Sequence, residues 1–567
     1  MAGTTLVLEI GFVDNAPTRV KLDVQSSTEA DQKHFAIKAQ EQSASNLLLN
    51  NLTPTSGQSR IALTLDKFAA NLERLARLDK LEGASFNCFE ALAGVYASLE
   101  RLYNHEMKTA MTLFKTEGKA ETEVMCKKSG KPRWNAGNTV GLGIDYWTDR
   151  RFSQRQTVKT EMKGDAMDVD SATRTGEDGP QETYFLSIEC ESHPAQLYRS
   201  ARITNDWLLE QIEKVPPDDP TGVLTELLES LDWLEPPPTY LKPSEDDNKQ
   251  DAMAVDVMPR LPNVRFVAKM KPPIVLPQHL AMQVLGMFDH TPAETIKEQK
   301  FEDLVLYGKN APLTPRYTLA SPALKALQGE RTVSTPGGDR KHENLLRVPR
   351  PDYGVLLEEL PFEHPKQLIS LLPTLRQYAY VNSLIRDTFQ ATLKAPTNSI
   401  SGHRAHDKGC PLHVDVTLLS IDPPPRLTVS FPRAVDNARK DSAQEFSLDE
   451  LLSLEDEEQT SGVRDSRIQI AVEILQNAEI QVTDQNVYLL APSATHQMAA
   501  LKVGDGEDAM DVEGNSERKA EGEGEDAQMR ETERLQKVQR LGRALDVSGD
   551  LGVWVEWVRK IAERETG

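Results

Sequence analysis

The sequence predicts an α+β protein in which helices and antiparallel sheets are interrupted by disordered acidic inserts. Segments with apolar residues at every second position predict strands, and segments with apolar residues three or four positions apart predict amphipathic helices. Between them lie stretches that are rich in charge and poor in aromatic residues. Such stretches bury too little apolar area to offset the entropy lost on ordering, which predicts disorder.

The net charge limits what the surface can bind. The chain has 567 residues, of which 39% are hydrophobic, and its formal net charge is −22 with a pI near 5.1. So acidic a surface repels phosphate backbones, and we therefore expect no direct contact with DNA or RNA. A role beside nucleic acid, through other proteins, is compatible with this charge.

The N-terminus and the cysteines indicate a soluble intracellular protein. The first residues lack the basic region of a signal peptide, and no segment approaches the roughly 18 uninterrupted apolar residues of a membrane span. No C-x-x-C pair occurs, which is typical of buried thiols in a reducing compartment. The four cysteines are Cys88, Cys126, Cys190 and Cys410.

The chain opens with a predicted β-hairpin. Apolar residues alternate in TLVLEIGFVD and again in RVKLDV, with the turn residues DNAP between the two runs. The first strand begins almost at Met1 with nothing ahead to cover it. This suggests that preceding sequence is missing or that a partner covers the strand.

Two long amphipathic helices and a strand follow the hairpin. The first helix carries an apolar stripe from Leu65 to Leu78, and the second has Asn87 as its N-cap with Glu90 three residues on. After the basic loop KKSGKPR, the segment VGLGIDYWTDRRF is predicted to be a strand with a bulge at its glycines.

The middle of the chain mixes strands and helices. YFLSIEC and NVRFVAKMKPPIVLP predict strands, whereas NDWLLEQIEKV and LTELLESLDWL predict helices, the second capped by Asp219 with Pro220 at the first helical position. LLPTLRQYAYVNSLIRDTF predicts a long helix. One face of that helix carries Leu375, Tyr378, Asn382, Ile385 and Phe389.

The last part of the chain is predicted to be β-rich and then helical. LHVDVTLLSI, PRLTVSFP, IQIAVEIL and AEIQVTD predict strands, and DLGVWVEWVRKIAER predicts a closing helix whose apolar face is Leu551, Trp554, Val558 and Ile561. The predicted segments are a hairpin and helical core at 1–160, an acidic insert at 161–182, an α/β segment at 183–241, an insert at 242–257, an α/β segment at 258–328, a loop at 329–343, a helical segment at 344–393, a β-rich segment with an acidic loop at 394–502, an acidic insert at 503–530 and C-terminal helices at 531–567.

Three near-copies of Asp-Ala-Met-x-Val-Asp/Glu occur in the acidic inserts, in MKGDAMDVDS, QDAMAVDVMP and EDAMDVEGNS. An EF-hand loop needs an oxygen ligand at its third position, but in the loop that would start at Asp165 this place is held by Met167. We interpret the copies as solvated low-complexity sequence. A small hydrophobic tag for a partner is the alternative.

A cluster of possible zinc ligands lies in HRAHDKGCPLH. Its residue types suit a tetrahedral site, but the spacing matches no known zinc knuckle, and a surface loop followed by a strand explains the segment without metal. A zinc-stabilised domain or zinc enzyme remains an alternative. The four ligands would be His403, His406, Cys410 and His413.

The pattern L-x-x-L-L, which can insert three leucines of one helical turn into a partner's groove, occurs three times. The copies at Leu224–Leu228 and Leu368–Leu372 lie in helical patterns that predict core packing. The third copy has a capping box and precedes the acidic run EDEEQTSG, so it is the one we expect to bind a partner. Its leucines are Leu448, Leu451 and Leu452.

No catalytic or nucleotide-binding motif is found. The glycines Gly137, Gly141 and Gly143 fit neither G-x-G-x-x-G nor the P-loop, and neither G-x-S-x-G nor H-E-x-x-H occurs. The sequence therefore predicts a protein without catalytic residues, cofactor or metal.

The chain contains, in this order, the segments LDKFAANLERLARLDKLEG, FNCFEALAGVYASLERLYNHEM, EVMCKKSGKPR, GLGIDYWTDRR, ECESHPAQLYRSARITNDWL, VRFVAKMKPPIVLP, LLPTLRQYAYVNSLIRDTF and LGVWVEWVRK. Together these segments resemble the conserved core of Mediator complex subunit 1 in its fungal form. The family usually has substantial sequence before the hairpin, which again suggests a truncated N-terminus, and its core lacks the acidic inserts.

The resemblance implies a non-enzymatic role in the nucleus. Family members belong to the middle module of Mediator, which relays signals from DNA-bound activators to RNA polymerase II. Other Mediator subunits would be the direct partners, and the polymerase and activators indirect ones. Animal relatives bind nuclear receptors through L-x-x-L-L motifs in a disordered tail, and no copy here occupies such a tail. A direct receptor coactivator is therefore only an alternative.

The closing helix is the second predicted partner-binding element. Trp557 lies off its main apolar stripe, so we expect this side chain, with Trp554 nearby, to dock on a neighbouring subunit.

Overall fold

The structure is a computed structural model. It describes the chain except for residues 1–5, 15, 25–36, 55–63, 82–85, 137–138, 149–182, 193–199, 215–230, 242–259, 291–298, 312–326, 336–337, 351, 390–410, 421–422, 434–466, 489–516 and 567, and the side chains of 6, 24, 37–43, 136, 335, 517–531 and 565–566 also lie outside the description. The predicted inserts at 161–182 and 242–257 and all three Asp-Ala-Met copies lie outside the described residues. Among the residues that the structure describes, no helix is long and apolar enough to cross a membrane.

The described residues form sixteen strands and nine α-helices, which confirms the α+β class. In chain order they are β1 Leu6–Val13, β2 Ala16–Val24, α1 Ile37–Leu52, α2 Asp66–Leu81, α3 Cys88–Leu113, α4 Glu117–Lys127, β3 Lys131–Ala136, β4 Thr139–Thr148, β5 Thr183–Ser192, β6 Leu208–Glu213, β7 Leu231–Trp233, β8 Val264–Pro277, α5 Gln278–Met287, β9 Gln299–Lys300, α6 Phe301–Tyr307, β10 Leu327–Thr335, β11 Gly338–Arg347, β12 Tyr353–Phe362, α7 Pro365–Phe389, β13 Leu412–Leu419, β14 Arg426–Pro432, β15 Arg467–Ile474, β16 Ile480–Gln485, α8 Glu517–Ser548 and α9 Leu551–Thr566.

Two six-stranded sheets organise the fold. The first has the strand order β3-β4-β5-β8-β12-β9, and all of its pairs are antiparallel. The second has the order β10-β11-β13-β14-β15-β16, in which only β11 and β13 run parallel. The β1–β2 hairpin packs on α1, where the backbone N–H of Leu22 donates to Ser45 Oγ at 3.0 Å.

The helix α7 joins the two sheets. Its buried face includes the five residues predicted for it. Polar side chains of this helix donate hydrogen bonds to strands of both sheets. Asn382 Nδ2 donates to the Val275 carbonyl of β8 at 3.2 Å, and Gln377 Nε2 donates to the Ile474 carbonyl of β15 at 2.6 Å. One continuous apolar core therefore extends from the first sheet through α7 to the second sheet.

Many of the predicted elements are confirmed. Asn87 caps α3, since its Oδ1 accepts from the Glu90 backbone N–H at 3.0 Å. In the predicted bulge, Gly141 has φ +102°, a conformation that favours glycine, opposite Asn135. Cys88, Cys126 and Cys190 are buried and form no disulfide among the described residues, and Cys410 lies outside them.

The prediction of a loop at 329–343 is wrong. These residues belong to the β10–β11 hairpin, and β11 continues the sheet by pairing with β13. The charged residues of the hairpin gave a loop-like composition, but Val333 and Leu346 still alternate into the core. The helical segment predicted at 344–393 is wrong in its first half, because β12 precedes α7. The helix begins at Pro365, so Pro373 lies inside it.

Two further predictions are corrected. NDWLLEQIEKV forms the strand β6, and the last residues of LTELLESLDWL form β7, so the described part of 183–241 contains strands only. Leu208 and Ile212 pack with Leu102 of α3, and this tertiary contact overrides helix propensity. The insert predicted at 503–530 gives way to α8 from Glu517, where Ala, Glu, Lys and Arg favour a helix.

Candidate partner-binding site

The C-terminal helices α8 and α9 pack as a pair on the second sheet. Trp554 is only 1% exposed, and its Nε1 donates to the Leu541 carbonyl of α8 at 3.0 Å. The predicted stripe of α9 is confirmed, because Leu551 and Val558 are also buried and Ile561 packs against the same core. Trp554 therefore anchors α9 to its own chain and is not accessible to a partner in this conformation.

The N-terminus of α9 is fixed to β10 by a cap and an ion pair. Asp550 Oδ1 accepts from the backbone N–H groups of Gly552 at 2.9 Å and Val553 at 3.1 Å. The Arg331 guanidinium pairs with both oxygens of the same carboxylate, with Nη1 3.1 Å from Oδ1. A Cβ on Gly552 would lie 2.6 Å from Val333 Cγ2, so this close approach requires glycine. The helix start has little freedom to move.

One turn further along α9, a buried carboxylate joins the helix to β11. Glu556 Oε1 lies 2.9 Å from Nε2 of the fully buried His342, and Glu556 Oε2 lies 3.2 Å from Arg340 Nη1. Burial alone would raise the pKa of Glu556, but the hydrogen bond from His342 and the charge of Arg340 outweigh it and leave the pKa lowered. The ionised carboxylate thus attaches the helix to the sheet.

The opposite face of α9 carries apolar side chains in solvent. Val553 is 41% exposed and Trp557 is 37% exposed. They are four residues apart and are therefore neighbours on the helix surface. The exposed Lys560 and Arg564 continue the same side toward the C-terminus. We call Val553, Trp557 and Lys560 the α9 surface. A rigidly held helix with an exposed tryptophan is the kind of element that serves as an interface anchor.

The other predicted partner-binding residues lie elsewhere. Leu448, Leu451 and Leu452 lie outside the described residues, as does the copy at Leu224–Leu228. The copy at Leu368–Leu372 is buried in α7, which confirms its predicted role in core packing.

The predicted zinc ligands are only partly described. His403, His406 and Cys410 lie outside the described residues. His413 lies on the exposed side of β13, and its Nδ1 is 2.9 Å from Glu343 Oε2 on the neighbouring strand β11. Within the part of the chain that the structure describes, no group of three or more His, Cys, Asp or Glu side chains is placed to hold a metal ion.

Sequence reasoning missed the groups that hold α9. Arg331, Arg340 and His342 fall in the stretch predicted as loop, so no face was assigned to them. The one local sign of a strand was the apolar Val333 between polar residues, and a single apolar residue is a weak signal for a strand.

The comparison with protein families identifies the chain. Residues 1–390 match the family model described as Mediator of RNA polymerase II transcription subunit 1. Because the match covers more than half of the 567 residues, the class is established: the chain is a subunit of Mediator, a coactivator complex of transcription. Within that class it belongs to the subunit 1 family. Among curated proteins, no match to the chain is found.

The fold continues past the end of the family match. The match ends beside the last residue of α7, but β11 inside it pairs with β13 outside it. The helices α8 and α9 then pack on β16 and β10 at the two ends of the second sheet's strand order. The C-terminal part is therefore integral to the body that the family defines.

Proposed function

We propose that the chain is a non-enzymatic scaffold in the middle module of Mediator and that it works in the nucleus. Its direct partners would be other Mediator subunits, and through them it would relay signals from DNA-bound activators to RNA polymerase II. Membership of the subunit 1 family supports this assignment. The middle module and the indirect partners are what the resemblance to this family implies.

The exposed tryptophan of the α9 surface carries the proposal. Trp557 projects from a helix that Trp554, Asp550 and Glu556 already hold on the sheet, so docking would cost little ordering entropy. We assign the surface to a neighbouring Mediator subunit that offers an apolar groove for Trp557 and Val553. Carboxylates at the rim of that groove would face Lys560 and Arg564, as electrostatic complementarity requires.

Affinity purification from nuclear extract tests this assignment. Tagged Trp557→Glu should recover other Mediator subunits at least about tenfold less than the wild type, because a charge replaces an interface anchor. Leu535→Glu is the matched control, since Leu535 is an exposed leucine on α8. Equal recovery with Trp557→Glu, or an equal loss with the control, would count against the α9 surface. Circular dichroism of both variants checks that the fold is unchanged.

We also propose Leu448, Leu451 and Leu452 as a second partner-binding segment. The double substitution Leu451→Ala/Leu452→Ala should reduce recovery of the partner that binds this segment. Substitutions in the copy at Leu368–Leu372, which is buried in α7, should affect folding only. A ligand-dependent loss of nuclear-receptor binding in the double variant would favour the direct coactivator alternative.

A further inference from the structure

One face of the first sheet carries several basic side chains, although the chain as a whole is acidic. Along β5, Leu186 and Ile188 point into the core, while Phe185, Ser187 and Glu189 alternate onto the other face. Lys269 and Lys271 of β8 lie directly opposite Ser187 and Phe185 in the antiparallel register, so they share this face. The helix α2 covers part of it and brings Arg74 and Arg77 to Glu189.

A small pocket lies on this face between β3 and β5. It is lined by Arg133, Thr139, Gly141, Leu142, Gly143, Phe185 and Ser187. Gly143 separates Arg133 from Ser187 in the register, and a Cβ at Gly143 would lie 3.9 Å from Phe185 Cδ2. Because the glycine has no side chain, Arg133 reaches across β4, and its Cζ lies 5.5 Å from the centre of the Phe185 ring.

Lys271 lies beside the same aromatic ring. Its Nζ is 6.0 Å from the Phe185 centroid, so the ring interacts with two cations. Lys271 makes no ion pair with any residue that the structure describes. By contrast, Lys269 reaches Glu189 at 3.1 Å and Glu191 at 2.7 Å.

The surroundings of Lys271 are rich in positive charge. The single carboxylate of Glu189 is shared by three cations, Arg74, Lys269 and Arg77, at 2.7, 3.1 and 3.7 Å. Burial lowers the pKa of Lys271, and the charges of Arg74, Lys269 and Arg77 lower it further, with Glu189 opposing them. An additional carboxylate beside Lys271 would relieve this repulsion.

We propose that this face binds an acidic peptide of a partner protein. We call Arg133, Phe185, Lys269 and Lys271 the basic face. A Glu or Asp carboxylate of the peptide would pair with Lys271, and an adjacent apolar side chain would rest on the Phe185 ring. The occupant is a peptide that offers one carboxylate to Lys271 and not a nucleic acid, because Asp145, Glu191 and Glu359 lie among the cations of this face and would repel a run of closely spaced negative charges.

Fluorescence anisotropy with the isolated full chain tests the proposal. The probe is a fluorescein-labelled synthetic peptide with a single Glu flanked by Leu residues. Saturable binding that weakens with added NaCl is expected. Lys271→Met, which keeps the apolar stem and removes the charge, should weaken binding about tenfold, the effect of about 1.4 kcal/mol from one lost charge contact. Phe185→Leu should also weaken it, because the ring that orients both cations is lost.

The controls separate this face from other surfaces. Lys341→Met makes the same charge change on an exposed position of β11 and should leave binding unchanged. Trp557→Glu should also leave peptide binding unchanged. The proposal for the basic face and the proposal for the α9 surface can therefore be refuted independently. Absence of saturable binding, or an equal loss with Lys341→Met, would overturn the proposal. So would tighter binding of a labelled single-stranded oligonucleotide, which would assign the face to nucleic acid.

Discussion

His342 and Glu556 are joined by a buried hydrogen bond of 2.9 Å between a strand and a helix that are 214 residues apart in the sequence. In the tautomer with the proton on Nε2, the imidazole donates and the carboxylate accepts. The side chain of His342 is fully buried and that of Glu556 is 7% exposed. This contact, with Arg340 beside it, fixes the orientation of the helix that carries Trp557.

Glu556→Gln should destabilise the protein at neutral pH by about 1–3 kcal/mol, because Arg340 and His342 lose a charged acceptor. The pKa of Glu556 is lowered in the folded state, so its contribution is present above the unfolded value of 4.5 and is lost as the pH falls below it. The difference from wild type should therefore shrink in acid. Urea unfolding at pH 7 and pH 4 measures this difference. Glu563→Gln, on the exposed side of α9, is the control, and an equal effect there would refute the prediction.

Trp554 and Trp557 should behave differently when truncated. Trp554→Ala leaves a cavity between α8 and α9 and removes the hydrogen bond from the indole to the Leu541 carbonyl, so we expect a loss of about 3–5 kcal/mol in the free energy of unfolding. Trp557→Ala should change it by less than about 1 kcal/mol, since the side chain is partly in solvent. Chemical denaturation measures both values. Similar losses for the two variants would mean that Trp557 is also part of the core.

Arg376 should be essential for joining the two sheets. This fully buried guanidinium donates to the carbonyls of Tyr146 at 3.0 Å, Met125 at 3.0 Å and Lys128 at 2.5 Å, and to Asn477 Oδ1 at 2.7 Å. Arg376→Lys keeps the charge but cannot reach all four acceptors, so we expect a loss of about 3–5 kcal/mol.

Thermal unfolding of Arg376→Lys checks this expectation. Lys366→Met, near the start of the same helix, is the control and should lower the melting temperature only slightly. A melting temperature for Arg376→Lys within a degree or so of the wild type would show that the four contacts are dispensable.

Glu302 should make the protein less stable as the pH rises toward neutrality. Burial raises the pKa of Glu302 to about 7, and the charges of Asp303 and Asp352 add to this rise. The folded state therefore holds the proton more tightly than the unfolded chain, and stability falls as the pH rises from about 4.5 through about 7. The full change from this group is about 3 kcal/mol.

Glu302→Gln removes that titration. The variant should be more stable than the wild type at pH 8, and this advantage should disappear near pH 4.5, as urea unfolding across this range would measure. Glu358→Gln, at a more exposed carboxylate paired with Lys309, should not change the pH dependence. A pH profile of Glu302→Gln that parallels the wild type would exclude Glu302 as its source.

Local periodicity was sufficient for the elements that have one buried face. The stripe of α9, the buried residues of α7 and the strands β13 to β16 were all predictable, because burial of one face leaves a repeat of 3.6 or 2 residues in the sequence. The family could also be identified from ordered segments. The exposure of Trp557 followed from its place off the stripe.

Long-range contacts decided the rest. LLEQIE has the composition of a helix but forms β6, because packing on α3 outweighs propensity. The charged hairpin of β10 and β11 looks like a loop, and only pairing with β13 and contact with α9 make it a sheet. Nothing local places His342 beside Glu556, or Lys271 and Arg133 on one phenylalanine. Those positions depend on strand register and on helix docking across hundreds of residues, which no short window of sequence contains.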